Sequence, residues 1–141
     1  MDRHAKAQWS GDLKSGKGAL SSNSGVLSNT PYSFRDRFED GPNTNPEELL
    51  AAAHAGCFTM ALSMTLGLAG LKADSLETTC TVTLDKEGDG FAIKKSALKL
   101  VAKIPGASQE AFNVATQQAK EGCPVSKLFD TEITLDAKLE S

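Results

Sequence analysis

The sequence predicts an α+β fold built on an antiparallel or mixed sheet. Strand-like segments come in runs rather than in strict βαβ alternation. One long uncharged segment has the length of a helix. Two short helical stretches then precede a last alternating segment. The expected order is three strands, a helix, two strands, two helices and a strand, in a single domain over residues 1–141.

Ala5 to Asp12 reads as a first short strand carrying Trp9. Gly11, Gly16 and Gly18, then Asn23-Ser24-Gly25, are turn signals. Tyr32, Phe34 and Phe38 alternate with Ser33, Arg35, Arg37 and Glu39, which predicts a strand with the aromatics on one face. Gly41-Pro42-Asn43-Thr44 breaks it. Asn45-Pro46-Glu47-Glu48 reads as a helix start, with a cap, a proline at N1 and an acid at N3 to close a capping box. After the long helix, Leu76, Thr78, Cys80, Val82 and Leu84 share one strand face. Lys86 to Gly90 turns the chain, and Phe91 to Ile104 returns with Leu98, Leu100, Ala102 and Ile104 on one side. Ser108 caps a helix to Glu121, Gly122-Cys123-Pro124 starts a short one through Phe129, and Ile133, Leu135, Ala137 and Leu139 alternate in the last strand.

Composition narrows the function classes. Lys+Arg is 15 against 18 Asp+Glu, a net charge of −3, which lacks the basic excess that nucleic-acid and anionic-membrane binders need. Three cysteines without a CxxC pair fit neither a disulfide scaffold nor a zinc ribbon. No apolar leader follows the opening MDRHAKAQWSGD, so the cytoplasm is the expected compartment. Gly11 to Lys17 fits most of a phosphate-binding P-loop, but Gly18 stands where Ser or Thr should hold magnesium, and a hairpin turn is expected instead.

From Leu49 to Leu71 no Asp, Glu, Lys or Arg occurs. As a helix that run would be about 35 Å long, enough to cross a bilayer. Against a membrane span stand His54, Thr59, Ser63, Thr65, the glycines and the absence of a flanking basic cluster. The other reading is a helix buried all round, which two copies of the chain could enclose and one copy could not. Ala51, Ala52, Ala53 and Gly56 would let paired helices approach closely. A monomer with this helix half-exposed is the remaining alternative.

His54 and Cys57 share a helix face and could be two ligands of a metal, but no further ligands stand at suitable spacing; a core or interface histidine with one satisfied hydrogen bond is the plainer role. Cys80 reads as a small buried hydrophobe. Cys57, beside Ala53, Met60, Ala61 and Met64, reads locally as a buried and inert thiol. Cys123 precedes Pro124 at a helix start with Lys120 and Lys127 nearby, so local grounds favour it as the reactive thiolate. A redox pair of the two is also open.

Thr44 to Leu49, Ala52 to Phe58 and Gly122-Cys123-Pro124-Val125-Ser126 resemble the OsmC/Ohr family, the osmotically inducible protein C and organic hydroperoxide resistance proteins. Ser24 to Leu27, Arg37-Phe38-Glu39 and Glu132 to Asp136 match as well. The likeness covers nearly the whole chain and lies nearest the OsmC branch. It implies an OsmC-like intertwined homodimer with long central helices wrapped by sheets. It implies a peroxidase of organic hydroperoxides that uses no metal, haem or flavin. By resemblance Cys57 attacks the peroxide, Cys123 is the second thiol, Arg37 is the family arginine and Glu47 its glutamate. Arg37 would hold Cys57 as thiolate and stabilise the leaving alkoxide, while Glu47 orients Arg37. A Cys57 sulfenic acid and a Cys57–Cys123 disulfide would follow, to be reduced by an external dithiol such as a lipoylated protein. Phe38, Phe58, Met60 and Met64 would wall a site suited to organic or fatty-acid hydroperoxides.

Ten residues of unbroken helix would hold Glu47 and Cys57 about 15 Å apart, so Arg37 and Glu47 are expected to serve Cys57 of the partner subunit. Two other functions compete. The dimer core could carry a lipid or acyl ligand with passive cysteines, or the thiols could form a redox sensor.

Overall fold

Chain order is set by where glycine, proline and capping residues interrupt the apolar pattern. The computed structural model describes residues 1–140, with elements β1 (Ala5–Ser10), β2 (Lys17–Ser22), β3 (Thr30–Tyr32), α1 (Phe34–Phe38), α2 (Pro46–Leu68), β4 (Ser75–Glu87), β5 (Gly90–Lys103), α3 (Gln109–Gly122), α4 (Pro124–Leu128) and β6 (Glu132–Glu140). They form an α+β fold with two three-stranded sheets, in the orders β1-β2-β3 and β4-β5-β6. The chain groups into two compact units, residues 1–49 and the chain from Leu50 onward.

In the first unit, β1 and β2 pair antiparallel from Ala5↔Ser22 to Ser10↔Lys17, so the glycine-rich segment between them is a hairpin turn. The Asp12 carboxylate closes it by accepting from the Ser15 amide at 2.7 Å. Gly18 lies between Trp9 and Tyr32 in the register. A Cβ there would sit 2.6 Å from Trp9 Cε3, and the two rings pack at 5.5 Å between centroids.

The strand expected through Glu39 ends at Tyr32. Phe34–Phe38 is instead a turn and a half of helix. The Phe34 and Phe38 spacing that suggested alternation is also the i, i+4 spacing of a helix, and the rings meet at 4.9 Å. Ser33 decides between the two by capping. Its hydroxyl accepts from the Asp36 amide and donates to Asp36 Oδ2 at 2.7 Å. The buried Asp36 carboxylate also accepts from the Asn43 amide at 2.9 Å. The Ser33 hydroxyl, then the Asn43 amide, hold its carboxyl below the usual carboxylate range. The Asn45 side-chain amide donates to the Asp36 carbonyl at 3.0 Å. One aspartate thus ties α1 to the start of α2.

Asn45 caps α2 as expected, accepting from the Glu48 amide at 2.8 Å. The Glu48 carboxylate takes the Thr44 hydroxyl at 2.6 Å.

In the second unit, β4 and β5 form a long antiparallel hairpin closed by Gly88-Asp89, and β6 joins β5 in parallel from Lys95↔Glu132 to Lys103↔Glu140. The expected face of β5, Leu98, Leu100 and Ala102, is buried. It packs with Phe58, Leu62 and Leu66 of α2 and with Phe112, Ala115 and Ala119 of α3 in one core. Thr65 ties the helices together by donating to the Ala115 carbonyl at 3.0 Å.

By length and composition α2 could cross a membrane. Core contacts on one face and buried His54 and Thr65 pack one side of it into the fold. Its other face stays open in the single chain, with Ala52, Ala53, Gly56, Met60, Ser63, Met64, Gly67 and Leu68 exposed and uncharged.

Gly41 is the tightest point around Asp36, since an added Cβ would lie 2.7 Å from the Asp36 Cα. Gly41→Ala is therefore expected to cost about 1–3 kcal/mol by overpacking, read as a lower Tm in thermal unfolding, whereas Gly122→Ala, where a Cβ meets open space on a helix with no left-handed φ, serves as the milder comparison.

Candidate active site

α2 and α4 bring two distant cysteines together in the second unit. The uncharged helix supplies Cys57, and the Gly-Cys-Pro break between α3 and α4 supplies Cys123. Pro124 occupies N1 of α4, where it sacrifices no hydrogen bond, and Cys123 is the residue before it. The Cys123 thiol contacts the Cys57 sulfur at 2.6 Å. Both are free thiols. Cys123 is completely buried and Cys57 half-buried.

Burial is the main influence on Cys57 and pushes its thiol pKa up. The Cys123 thiol acts the same way through its hydrogen bond and through repulsion of its charge. The backbone N–H of Val125, in the first turn of α4, opposes them by favouring the thiolate. The balance leaves Cys57 a thiol at neutral pH.

Behind the sulfurs lies a polar core around His54, one turn before Cys57 on α2. Its ring is completely buried. Nδ1 is 2.6 Å from the Ser96 hydroxyl on β5, and Nε2 is 2.8 Å from the Ser126 hydroxyl on α4. The Phe129 ring meets it edge-on at 5.1 Å. Both nitrogens are therefore engaged, one more than the single hydrogen bond expected from sequence. Burial lowers the His54 pKa, so the ring is neutral, one nitrogen donating and the other accepting. Cys80, expected as a small hydrophobe, is half-buried with its sulfur 3.2 Å from the Ser96 hydroxyl. Burial raises its pKa too.

In the first unit Arg37 and Glu47 form a forked ion pair. Arg37 Nη2 and Nε donate to Glu47 Oε1 at 2.8 and 3.1 Å. Glu47 is nearly buried and the Arg37 side chain 41% exposed, so the guanidinium keeps donors free beyond its carboxylate. The Arg37 guanidinium also lies 5.4 Å from the centre of the Phe38 ring.

The four expected apolar wall residues separate. Phe38 packs on Phe34, and Phe58 is completely enclosed in the core behind Cys57. Met60 and Met64 stand on the open face of α2, 77% and 64% exposed. The Val125 amide, Ser126, Ser96 and Phe129 were not singled out from sequence. Val125 and Ser126 had a signal, their place in the Gly-Cys-Pro-Val-Ser motif.

Fold and thiol pair together define a dithiol protein with a half-buried cysteine on its long helix, paired with a buried one. The chain belongs to the OsmC family: residues 39–138 match the family described as OsmC-like protein. Over all 141 residues it is 52% identical to Peroxiredoxin OsmC of Escherichia coli (strain K12), covering 99% of that protein. It is 37% identical over 98 residues, 69% of each chain, to an organic hydroperoxide resistance protein-like protein of Staphylococcus aureus. Among solved structures, an organic hydroperoxide resistance protein from Elizabethkingia anophelis superposes with a TM-score of 0.72 at 26% identity, covering 97% of this chain and 96% of that one.

The buried neutral His54 makes stability depend on pH. Its pKa is depressed in the folded state, so its contribution is complete above the ordinary histidine pKa and declines as pH falls below it. Denaturant unfolding of the reduced protein should show stability falling from neutral pH toward mild acid by up to about 1.4 kcal/mol per pH unit. His54→Asn should flatten that slope in the same window.

Proposed function

We propose that this chain is a cysteine-based peroxidase that reduces organic hydroperoxides to alcohols. The observation that carries the reading is the Cys57–Cys123 sulfur contact, set on a helix whose motif and family are those of OsmC. The Cys57 thiolate attacks the distal peroxide oxygen. The O–O bond breaks, the alkoxide leaves and takes a proton, and Cys57 becomes a sulfenic acid. The Cys123 thiol then displaces that hydroxyl as water, and the disulfide forms.

A thiol raised by burial needs a fixed cation to react. Arg37 of the partner subunit supplies it in this reading and stabilises the leaving alkoxide, with Glu47 holding its fork. The helical distance from Glu47 to Cys57, about 15 Å in one chain, favours such an exchange. So does the open, uncharged face of α2. Gly56, Met60 and Met64 on that face suit burial against a second copy, where the flexible methionines at the edge of the seam would meet the alkyl group of a substrate. Phe38 and Phe58 back the two charged and thiol groups. The reaction draws on no metal, haem or flavin, an external dithiol, such as a lipoylated protein, reopens the disulfide, and the cytoplasm is the setting where such a cycle can run.

Anaerobic thiol counting with one equivalent of cumene hydroperoxide tests the reaction. Two thiols per chain should disappear, with Cys80 still free by peptide mapping. Cys57→Ser should consume no peroxide, and Cys123→Ser should stop after one turnover as a sulfenic acid. Loss of no thiols from the unmodified protein would favour a passive, ligand-carrying dimer. Arg37→Ala should slow the first oxidation about 10²–10³-fold, the scale of one lost charge-stabilising group in a transition state. Met64→Asp should convert the dimer to monomer in light scattering and lose activity with it.

A further inference from the structure

Peroxide reduction as described uses two sulfurs but leaves unexplained why a five-residue helix stays where it must. An isolated helix of one and a half turns does not hold itself together in water. α4 is fixed instead by what its side chains touch. Its Ser126 hydroxyl meets His54 Nε2 at 2.8 Å, and Phe129, just past its end, packs edge-on against the same ring at 5.1 Å. His54 stands three residues before Cys57 on α2, and Ser126 three residues after Cys123. The two contacts, Cys57 with Cys123 and His54 with Ser126, are therefore successive rungs between the same two segments, one turn apart. Between them lies Val125, whose backbone N–H faces the Cys57 sulfur. Ser96 holds the other ring nitrogen at 2.6 Å, so the histidine is itself anchored to β5 and cannot turn with α4.

We propose that His54 and Ser126 are a positioning pair for the resolving step: the buried His54–Ser126 rung keeps α4 in register with α2, so that the Cys123 sulfur meets the Cys57 sulfenic acid before a second hydroperoxide does. The step it favours breaks the S–O bond of the sulfenic acid and forms the S–S bond, and the hydroxyl leaves as water with the Cys123 thiol proton. The competing step transfers a second peroxide oxygen to the same sulfur and gives a sulfinic acid, which external dithiols do not reverse. Neither residue touches the peroxide.

This inference rests on the peroxidase reading, and rapid mixing with one equivalent of cumene hydroperoxide separates the two. Sulfenic acid is trapped with dimedone and disulfide formation followed by quench. In Ser126→Ala, condensation should slow about tenfold, the kinetic equivalent of one lost buried hydrogen bond, and trapped sulfenic acid should rise. Excess hydroperoxide should then leave sulfinic acid on Cys57, seen by mass. Ser126→Thr, which keeps the hydroxyl, should restore the rate. Ser96→Ala frees the same ring from β5 and should slow condensation in the same direction, whereas Thr65→Val, which removes a buried hydrogen bond from α2 to the Ala115 carbonyl without touching His54 or α4, should condense close to the unmodified rate. A folded Ser126→Ala protein that condenses at the unmodified rate overturns the pair, leaving His54 as core packing. Should that variant be unfolded, His54→Asn is read for the same two rates with the same meaning. If the unmodified protein itself loses no thiols, the peroxidase reading fails instead.

Discussion

Everything else in the molecule depends on a sulfur partly withdrawn from water. Burial of Cys57 has two opposite consequences. It shields a nucleophile and gives it an apolar neighbourhood, and it raises the cost of the charge that makes it a nucleophile. The second unit answers part of that cost with the Val125 amide, and adds to it with a thiol in contact. The proposed reaction needs a full positive charge as well. The first unit holds one in prepared form, a guanidinium clamped by a nearly buried carboxylate and still partly open. In the proposed reaction the partner subunit's Arg37 would supply that charge.

Local structure serves that arrangement from each side. Asp36 gathers Ser33, Asn43 and, through its own carbonyl, Asn45, which fixes the short helix bearing Arg37 against the start of α2. On the other side, the Gly-Cys-Pro break lets α3 end and α4 begin with a cysteine between them. The His54 cluster fills the space behind with groups that all have partners: among the described residues no buried side-chain nitrogen or oxygen lacks one. A polar core is tolerable there because each hydroxyl and ring nitrogen finds a hydrogen bond.

Much of the fold was legible because its signals are local. The alternation in β4, β5 and β6, Ser108 ahead of α3 and Asn45 ahead of α2 all act within a few residues. α1 was misread because two phenylalanines four apart satisfy both periods, although Ser33 and Asp36 carried the cap that decides the matter. The site was legible in a different way. Spacing favoured Cys123 as the thiolate and Cys57 as inert, and only the resemblance reversed the roles. No local rule could place His54 between Ser96 and Ser126, which lie 42 and 72 residues away. The open face of α2 follows the same logic: the lack of charge was visible in the sequence, while which side meets the core depended on where β5 and α3 packed.

The charge state of the Cys57 sulfur decides whether the proposed attack can run. Titrating Cys57 by thiolate ultraviolet absorbance, in reduced protein carrying Cys80→Ser and Cys123→Ser, measures it directly. The expected midpoint lies below neutral pH and moves above the ordinary thiol range when Arg37 is replaced by alanine. A midpoint above the ordinary range with Arg37 present, unchanged by its removal, would contradict the proposed attack.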